Sequence, residues 1–382
     1  LVHNGLRIEL IDLSKSDWCF DVRIGERTHN MKIGRFVRYF FNTEYTQKDV
    51  FNFSEEYNKL KGGTEKGKGE NLSNFKLINS NDYKEIQDPT DIKSTFISLV
   101  TQTYPHGYEE EVMHLLPRDL LKDKFGNYYK IIGKSTTMFT SHLDTADRTQ
   151  STTVLYEMEK EGQTYITTDG TSILGADDKS GVAVMLNMIH HRIPGVYYFF
   201  IGEERGGIGS GKVANDFEEI SHLHKIKKCV SFDRRNYHSV ITSQLGKQCC
   251  SDEFATALSN ELNNHGLDIS LDPTGIYTDS ANFIEDIPEC TNISVGYFNE
   301  HTESEYQNIT YLEKLAKASL SVDWENLPIV RKVGFAESIR SKYRMILNGL
   351  RRSVFNSDVK VVGEGEKAFI KINLEEASID ES

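Results

Sequence analysis

Long apolar runs are missing from this 382-residue sequence. Its most apolar stretch, residues 193–202, falls well short of the about 20 residues that cross a bilayer. No membrane span is therefore expected. The opening, LVHNGLRIEL, has no basic stretch followed by an apolar core, so no signal peptide is expected either. Leu1 leaves open whether a segment precedes it. Positive charge is in deficit, with 44 Lys+Arg against 57 Asp+Glu and a formal net charge of −13. That balance argues against a surface built to grip phosphate backbones, and nucleic acid is not an expected partner. Cysteine is sparse: Cys19, Cys229, Cys249, Cys250 and Cys290 are odd in number and irregularly spaced. Without a CxxC pair there is no thiolate zinc site, and a chain this long needs no disulfide staples. Reduced thiols and a cytoplasmic setting follow as expectations. The neighbours Cys249 and Cys250 read as packing residues. No repeat of period 20–50 is visible.

What remains is a soluble globular composition, 38% hydrophobic and 26% charged. A seam runs through residues 61–71, KGGTEKGKGEN, which has four glycines, alternating charge and no apolar side chain. It divides the chain into an N-terminal module (1–60), a linker (61–87), a catalytic domain (88–328) and a C-terminal helix and tail (329–382). The N-terminal module is aromatic and reads as helical in pieces over 35–60. It carries no chemistry of its own and is a candidate surface for a protein partner. In the tail, Ile339, Tyr343, Ile346, Leu350 and Val354 recur at helical spacing among basic residues. That helix is expected to dock on its own chain, with an acidic partner as the second reading.

Between these ends, short apolar segments at 137–141, 196–201, 228–232 and 292–297 read as strands buried on both faces. Helices are expected at 179–191 and 253–265, near Thr95, and again from Tyr108. Strands alternating with helices predict an α/β fold with a mostly parallel mixed sheet covered on both faces.

Five strings concentrate metal-type ligands at or just after expected strands: SHLDT (141–145), TTDGTSILGADDKSGVA (167–183), GEERGGIGS (202–210), SFD (231–233) and NEHTESE (299–305). Singly, each has an ordinary structural explanation: a hydrogen-bonded His, a solvated Glu pair, an Asp helix cap. Together they stand at strand ends, and loops at the carboxyl edge of an open α/β sheet converge on one place. Two zinc ions about 3.5–4 Å apart need a shared carboxylate and two further ligands each. His142, Asp177, Glu204, Asp233 and His301 meet that demand, with Glu203 left beside a ligand where a general base is needed. The same ligand types suit Co²⁺ or Mn²⁺.

These strings resemble the co-catalytic di-zinc exopeptidases, which comprise aminopeptidases, tripeptidase T and carboxypeptidase relatives. DGTSILGADDKSG is the most specific of them. The resemblance covers about residues 88–328 and implies a role for each matching residue. His142 and Asp233 would bind one zinc and Glu204 and His301 the other. Asp177 would bridge them, followed by a cis peptide, and Glu203 would be the base. Asp144 would orient the His142 imidazole, Ser210 would cap the helix after the glycine turn, and Tyr277 and Asp279 would line the substrate pocket. The implied activity is hydrolysis of short peptides through a di-zinc-activated water, most simply as an aminopeptidase. A carboxypeptidase or amidohydrolase of the same group is the alternative, and Arg205, Arg234 and Arg235 keep it open. The gaps 142–177 and 233–301 are too short to hold the inserted lid domain of many relatives. Two further readings compete. Residues 206–212, GGIGSGK, match most of a P-loop but put Val213 where Mg²⁺ requires Ser or Thr. A metal-less binding module would lack ligands, and none is lacking.

Overall fold

A computed structural model describes residues 76–333 in full. Outside them it describes the backbone of the strands Val2–His3, Leu6–Ser16, Cys19–Ile24, Arg27–Lys32, Phe75–Leu77, Asp358–Val362 and Phe369–Asn373. The first four of these strands form one antiparallel sheet, and the last two pair with each other. The helical pieces expected over 35–60 and the amphipathic helix from Phe335 lie outside the described residues.

Along the chain, β1 (Phe75–Leu77) leads through α1 (Ile92–Leu99) to β2 (Leu121–Lys122), β3 (Tyr128–Ile132), β4 (Thr137–His142), β5 (Leu155–Lys160) and β6 (Gln163–Thr168). Then come α2 (Ala176–His190), β7 (Gly195–Phe200), α3 (Ile208–Asn215), β8 (Lys228–Arg234), β9 (Ser239–Ile241), α4 (Asp252–Asn263) and β10 (Ser270–Asp272). The domain closes with β11 (Glu289–Ser294), β12 (Tyr297–Phe298), β13 (Tyr306–Asn308) and α5 (Ile309–Ser319). The main sheet has the order β10-β9-β11-β8-β4-β7-β3-β2. Its centre, β11-β8-β4-β7, is parallel. A second, antiparallel sheet has the order β12-β13-β6-β5-β1. Phe75–Leu77, inside the segment read as a linker, is thus an edge strand of that sheet.

The central strands are apolar throughout because both faces are covered. Tyr197 and Phe199 of β7 pack with Phe139, Val230, Phe232 and the apolar side of α2, while Val196, Tyr198 and Phe200 pack with Met138, Val213 and Phe283 on the other face. This is the period of two that a strand imposes. Two elements differ from expectation. β11 starts three residues earlier than the expected strand, because its polar Glu289 is buried and accepts from the Ser251, Val330 and Arg331 amides. The helix expected from Tyr108 is a 3-10 helix, Glu109–Leu115. Residues 143–176 and 234–300 build strands and helices of these two sheets rather than an inserted domain. The four cysteines among the described residues are buried free thiols, and no helix among those residues is long and apolar enough to cross a membrane.

Helix α2 lies unusually close to β8, and Gly181 permits it: a Cβ there would sit 2.0 Å from the Phe232 carbonyl oxygen and 2.7 Å from Asp178 Oδ1. Gly181→Ala should therefore lower unfolding stability by about 1–3 kcal/mol, the usual cost of overpacking. Urea denaturation followed by circular dichroism checks it.

Candidate metal centre

The parallel core of the main sheet delivers its strand ends to one edge. β4 ends on His142, whose register partner on β7 is Phe200. The chain leaves β7 through Gly202, at φ +66°, and immediately presents Glu203 and Glu204. β8 presents Asp233 at its end, and Asp177 enters from the start of α2, where the Asp177–Asp178 peptide is cis. His301 comes from the loop between β12 and β13, where its φ of +61° is a conformation that few non-glycine residues adopt.

These five ligand-type residues meet. His142 Nε2 lies 3.0 Å from Asp177 Oδ1, and His301 Nε2 lies 3.0 Å from Asp177 Oδ2. Asp233 Oδ1 is 3.9 Å from His142 Nε2, and Glu204 Oε1 is 3.0 Å from His301 Nε2. Two groups result, His142/Asp177/Asp233 and Asp177/Glu204/His301, each with ligand atoms within 4.8 Å of one another. Asp177 belongs to both. Glu203 groups with His142 and Glu204 on the same scale. The buried Glu204 Oε1 has no hydrogen-bond donor despite its closeness to the His301 ring. An orphaned carboxylate oxygen among imidazoles and carboxylates is a donor set that suits divalent cations of the zinc type.

Electrostatics follow from crowding. Burial pushes Glu203 up to about 9, helped by the charges of Asp279, Asp177 and Glu204. The Asp177 and Glu204 carboxylates, each 3.0 Å from its Nε2, push His301 up to about 11. Burial would raise Asp177, but the bonds from His142 and His301 hold it well below the usual carboxylate range. Asp233 is fixed by Thr278 Oγ1 at 2.5 Å and Tyr297 Oη at 3.1 Å.

The other expected residues fall as follows. Asp144 is fully buried, and the His142 Nδ1 lies 3.0 Å from its carbonyl oxygen and 3.4 Å from its carboxylate. The carboxylate also accepts the Glu203 and Glu204 amides, both at 3.0 Å, and so shapes the turn that carries the glutamates. Tyr277 lines the same cleft, of about 190 Å³, as Asp177, Glu203, Asp233 and His301. Its hydroxyl accepts from Asn282 Nδ2 at 2.8 Å and needs Gly207 beside it, since a Cβ there would lie 1.7 Å from the hydroxyl oxygen. Asp279 is buried, burial raises it to about 7, and its Oδ1 has no partner. Ser210 does not cap α3; the cap position is Gly207, and Ser210 Oγ accepts from Asn282 instead. The P-loop reading fails, because Lys212 is exposed on α3 and is absent from the cleft lining, while His301 does approach Glu204.

Two residues escaped the sequence reading. Glu305 is buried and accepts the amides of Leu174, Gly175 and Asp177 at 2.7–3.0 Å, tying down the turn that presents Asp177. Its spacing, four residues after His301, was the available signal. Lys179 is buried, donates to the Leu143 carbonyl at 2.6 Å, and lies 5.7 Å from the centre of the Tyr104 ring. No local signal marks it, since it follows Asp177 and Asp178 in the polar first turn of α2.

No family model matches the chain. Over 30 residues it is 63% identical to a peptidase T of Shewanella pealeana, covering 8% of this chain and 7% of that protein. Over 65 residues it is 45% identical to a peptidase T of Streptococcus pneumoniae, covering 15% and 16% respectively. The matched stretches thus span less than a fifth of the length of these curated relatives. Among solved structures, the aminopeptidase PepT of Bacillus cereus superposes with a TM-score of 0.50 at 18% identity, over 62% of this chain and 98% of that one. The described domain has the zinc-exopeptidase α/β fold.

Lys179 is buried near the carboxylates of Asp144, Asp177, Asp178 and Glu204, and burial lowers its pKa while these charges oppose that shift. Lys179→Met should destabilise the chain by about 3–5 kcal/mol, as expected when one member of a buried charge group is removed. Chemical denaturation of metal-free protein measures it.

Proposed function

We propose that the chain is a metal-dependent exopeptidase that hydrolyses short peptides, acting as an aminopeptidase. The observation that carries this reading is the single carboxylate, Asp177, shared between two ligand groups, each completed by one imidazole and one further carboxylate. The peptidase names of the partial relatives and of the matching structure support the substrate class.

On this reading His142 and Asp233 would hold one zinc ion and Glu204 and His301 a second, with Asp177 belonging to both ligand groups. When bound, the pair supplies Lewis acidity and a water acidified towards a pKa of about 7. The chain supplies the rest. Glu203, in the cleft beside these ligands, accepts a proton from the attacking water and returns it to the leaving amine. The Asp144 carboxylate keeps the Glu203 and Glu204 backbone in place. Thr278 and Tyr297 fix the rotamer of Asp233. Tyr277 forms part of the wall against which the peptide lies, whereas Asp279 is buried and is not among the residues that line the cleft. Four buried free thiols fit a reducing, cytoplasmic setting.

The decisive experiment joins metal analysis to a panel of free, N-blocked and C-blocked dipeptides. Two metal equivalents per chain, with hydrolysis that requires a free amine, is the expected result. Glu203→Gln should lower kcat by about 10²–10⁴-fold while two equivalents of metal remain bound, measured by plasma mass spectrometry. Loss of metal from that variant would show that the roles of Glu203 and Glu204 are misassigned.

A further inference from the structure

The cleft has a second polar pair that the proposed reaction leaves unused. Arg234, the last residue of β8, extends sideways over the carboxyl edge of the sheet. Its guanidinium reaches Asp272 at the end of β10. All its contacts there come from one nitrogen. Nη2 lies 3.4 Å from Asp272 Oδ2, 3.3 Å from Thr274 Oγ1 and 3.5 Å from the Thr274 carbonyl oxygen. These are long distances for a charged pair. Asp272 is meanwhile engaged at 2.5–2.8 Å by Ser239 Oγ, Thr274 Oγ1 and the Thr274 amide. The Arg234 Nε–H is buried without any acceptor, although the side chain lines the cleft. A guanidinium with an idle Nε edge is half of a bidentate carboxylate site.

Gln244 gives an independent indication. It is 1% exposed, lines the same cleft, and its Oε1 has no donor. The orientation of its amide is fixed by its neighbour. Ser280 Oγ donates to the Thr291 carbonyl and must therefore accept from Gln244 Nε2, at 3.1 Å. The oxygen left over is an acceptor. One cleft thus holds a buried cationic donor and a buried neutral acceptor, both unmatched. The terminal residue of a peptide, with a carboxylate and an amide N–H, offers the converse pair.

We propose that Arg234 and Gln244 form a subsite for a carboxylate-bearing residue of the substrate, with the carboxylate on the Arg234 guanidinium and an N–H on Gln244 Oε1. The proposal rests on the exopeptidase reading and deepens it. Arg234 follows Asp233 directly, and an extended peptide advances about 3.3–3.6 Å per residue. The anchored carboxylate therefore lies within about two residues of the bond that is cut. The preferred substrates are short peptides with a free C-terminus or an acidic side chain near the scissile bond, not the amino ends of long chains.

Calorimetry on the full chain carrying Glu203→Gln, loaded with zinc, reads binding without turnover. The probes are trialanine, its C-terminal amide, and that amide with Glu in the last position. Trialanine should bind on the order of 10–100-fold more tightly than its amide, the range for hydrogen bonds to charged groups. In the Arg234→Met background that gap should close to within about threefold, and Arg234→Lys, which keeps charge but not the fork, should narrow it. Gln244→Leu should weaken trialanine and its amide alike. If the Glu-bearing amide matches trialanine, the carboxylate can come from a side chain; if it binds like the plain amide, the C-terminus is the source. Equal binding of trialanine and both amides, or a gap that survives in both Arg234 variants, overturns the subsite. The exopeptidase reading fails separately, if zinc-loaded native chain shows the binding preference yet cleaves none of the peptides.

Discussion

Mutual repulsion among buried carboxylates governs this domain. Asp144, Asp177, Asp178, Asp233, Asp279 and Glu305 are all buried at or behind one edge of one sheet, with Glu203 and Glu204 among them. Such a cluster is costly to bury unless each charge is compensated. The compensation is divided. Backbone amides satisfy Asp144 and Glu305, side-chain hydroxyls satisfy Asp178 and Asp233, imidazoles satisfy Asp177, and Lys179 supplies a buried cation. What is left over, the free oxygens of Glu204 and Asp279, points to the exchangeable part of the site.

The two sheets share the positioning of the centre. The main sheet fixes His142, Glu203, Glu204 and Asp233 through the ends of its parallel strands. The second sheet fixes His301, carried on the loop between β12 and β13, and aligns it with the turn after β6 that leads to Asp177. Glu305 bridges the two tasks, since it belongs to the His301 loop and holds the Asp177 turn. The geometry at Asp177 therefore depends on how two separate ladders of hydrogen bonds meet.

The main sheet was legible in the sequence because burial on both faces leaves runs such as Val196–Tyr197–Tyr198–Phe199–Phe200, which have no polar alternative. The ligand strings were legible because each follows such a run or opens a helix. The second sheet was not. Its strands Leu155–Lys160 and Gln163–Thr168 are short, partly exposed and polar, and β13 is only three residues long. The start of β11 was hidden by Glu289, a charged residue whose burial depends on partners far along the chain. Asp144 showed the limit of reasoning from residue type: its place was clear, but its carboxylate also serves the glutamate turn. Lys179 and Glu305 were missed for a related reason. Apart from the spacing of Glu305 after His301, little in the local sequence distinguishes these buried charges from exposed ones, and only the assembled carboxylate cluster makes them necessary.

The pairing of β6 with β13 also has a consequence for the order in which the molecule is made. Tyr165 lies opposite Asn308 and Thr167 opposite Tyr306, partners separated by most of the domain. A nascent chain emerges from its amino end, so His142, Asp177, Glu204 and Asp233 leave the ribosome well before the strand that sets His301. Until β13 has emerged and docked, the ligands of the centre are present in the chain but not gathered. On the exopeptidase reading, an unfinished chain is inert, and hydrolytic capacity arrives only with the last strand of the smaller sheet.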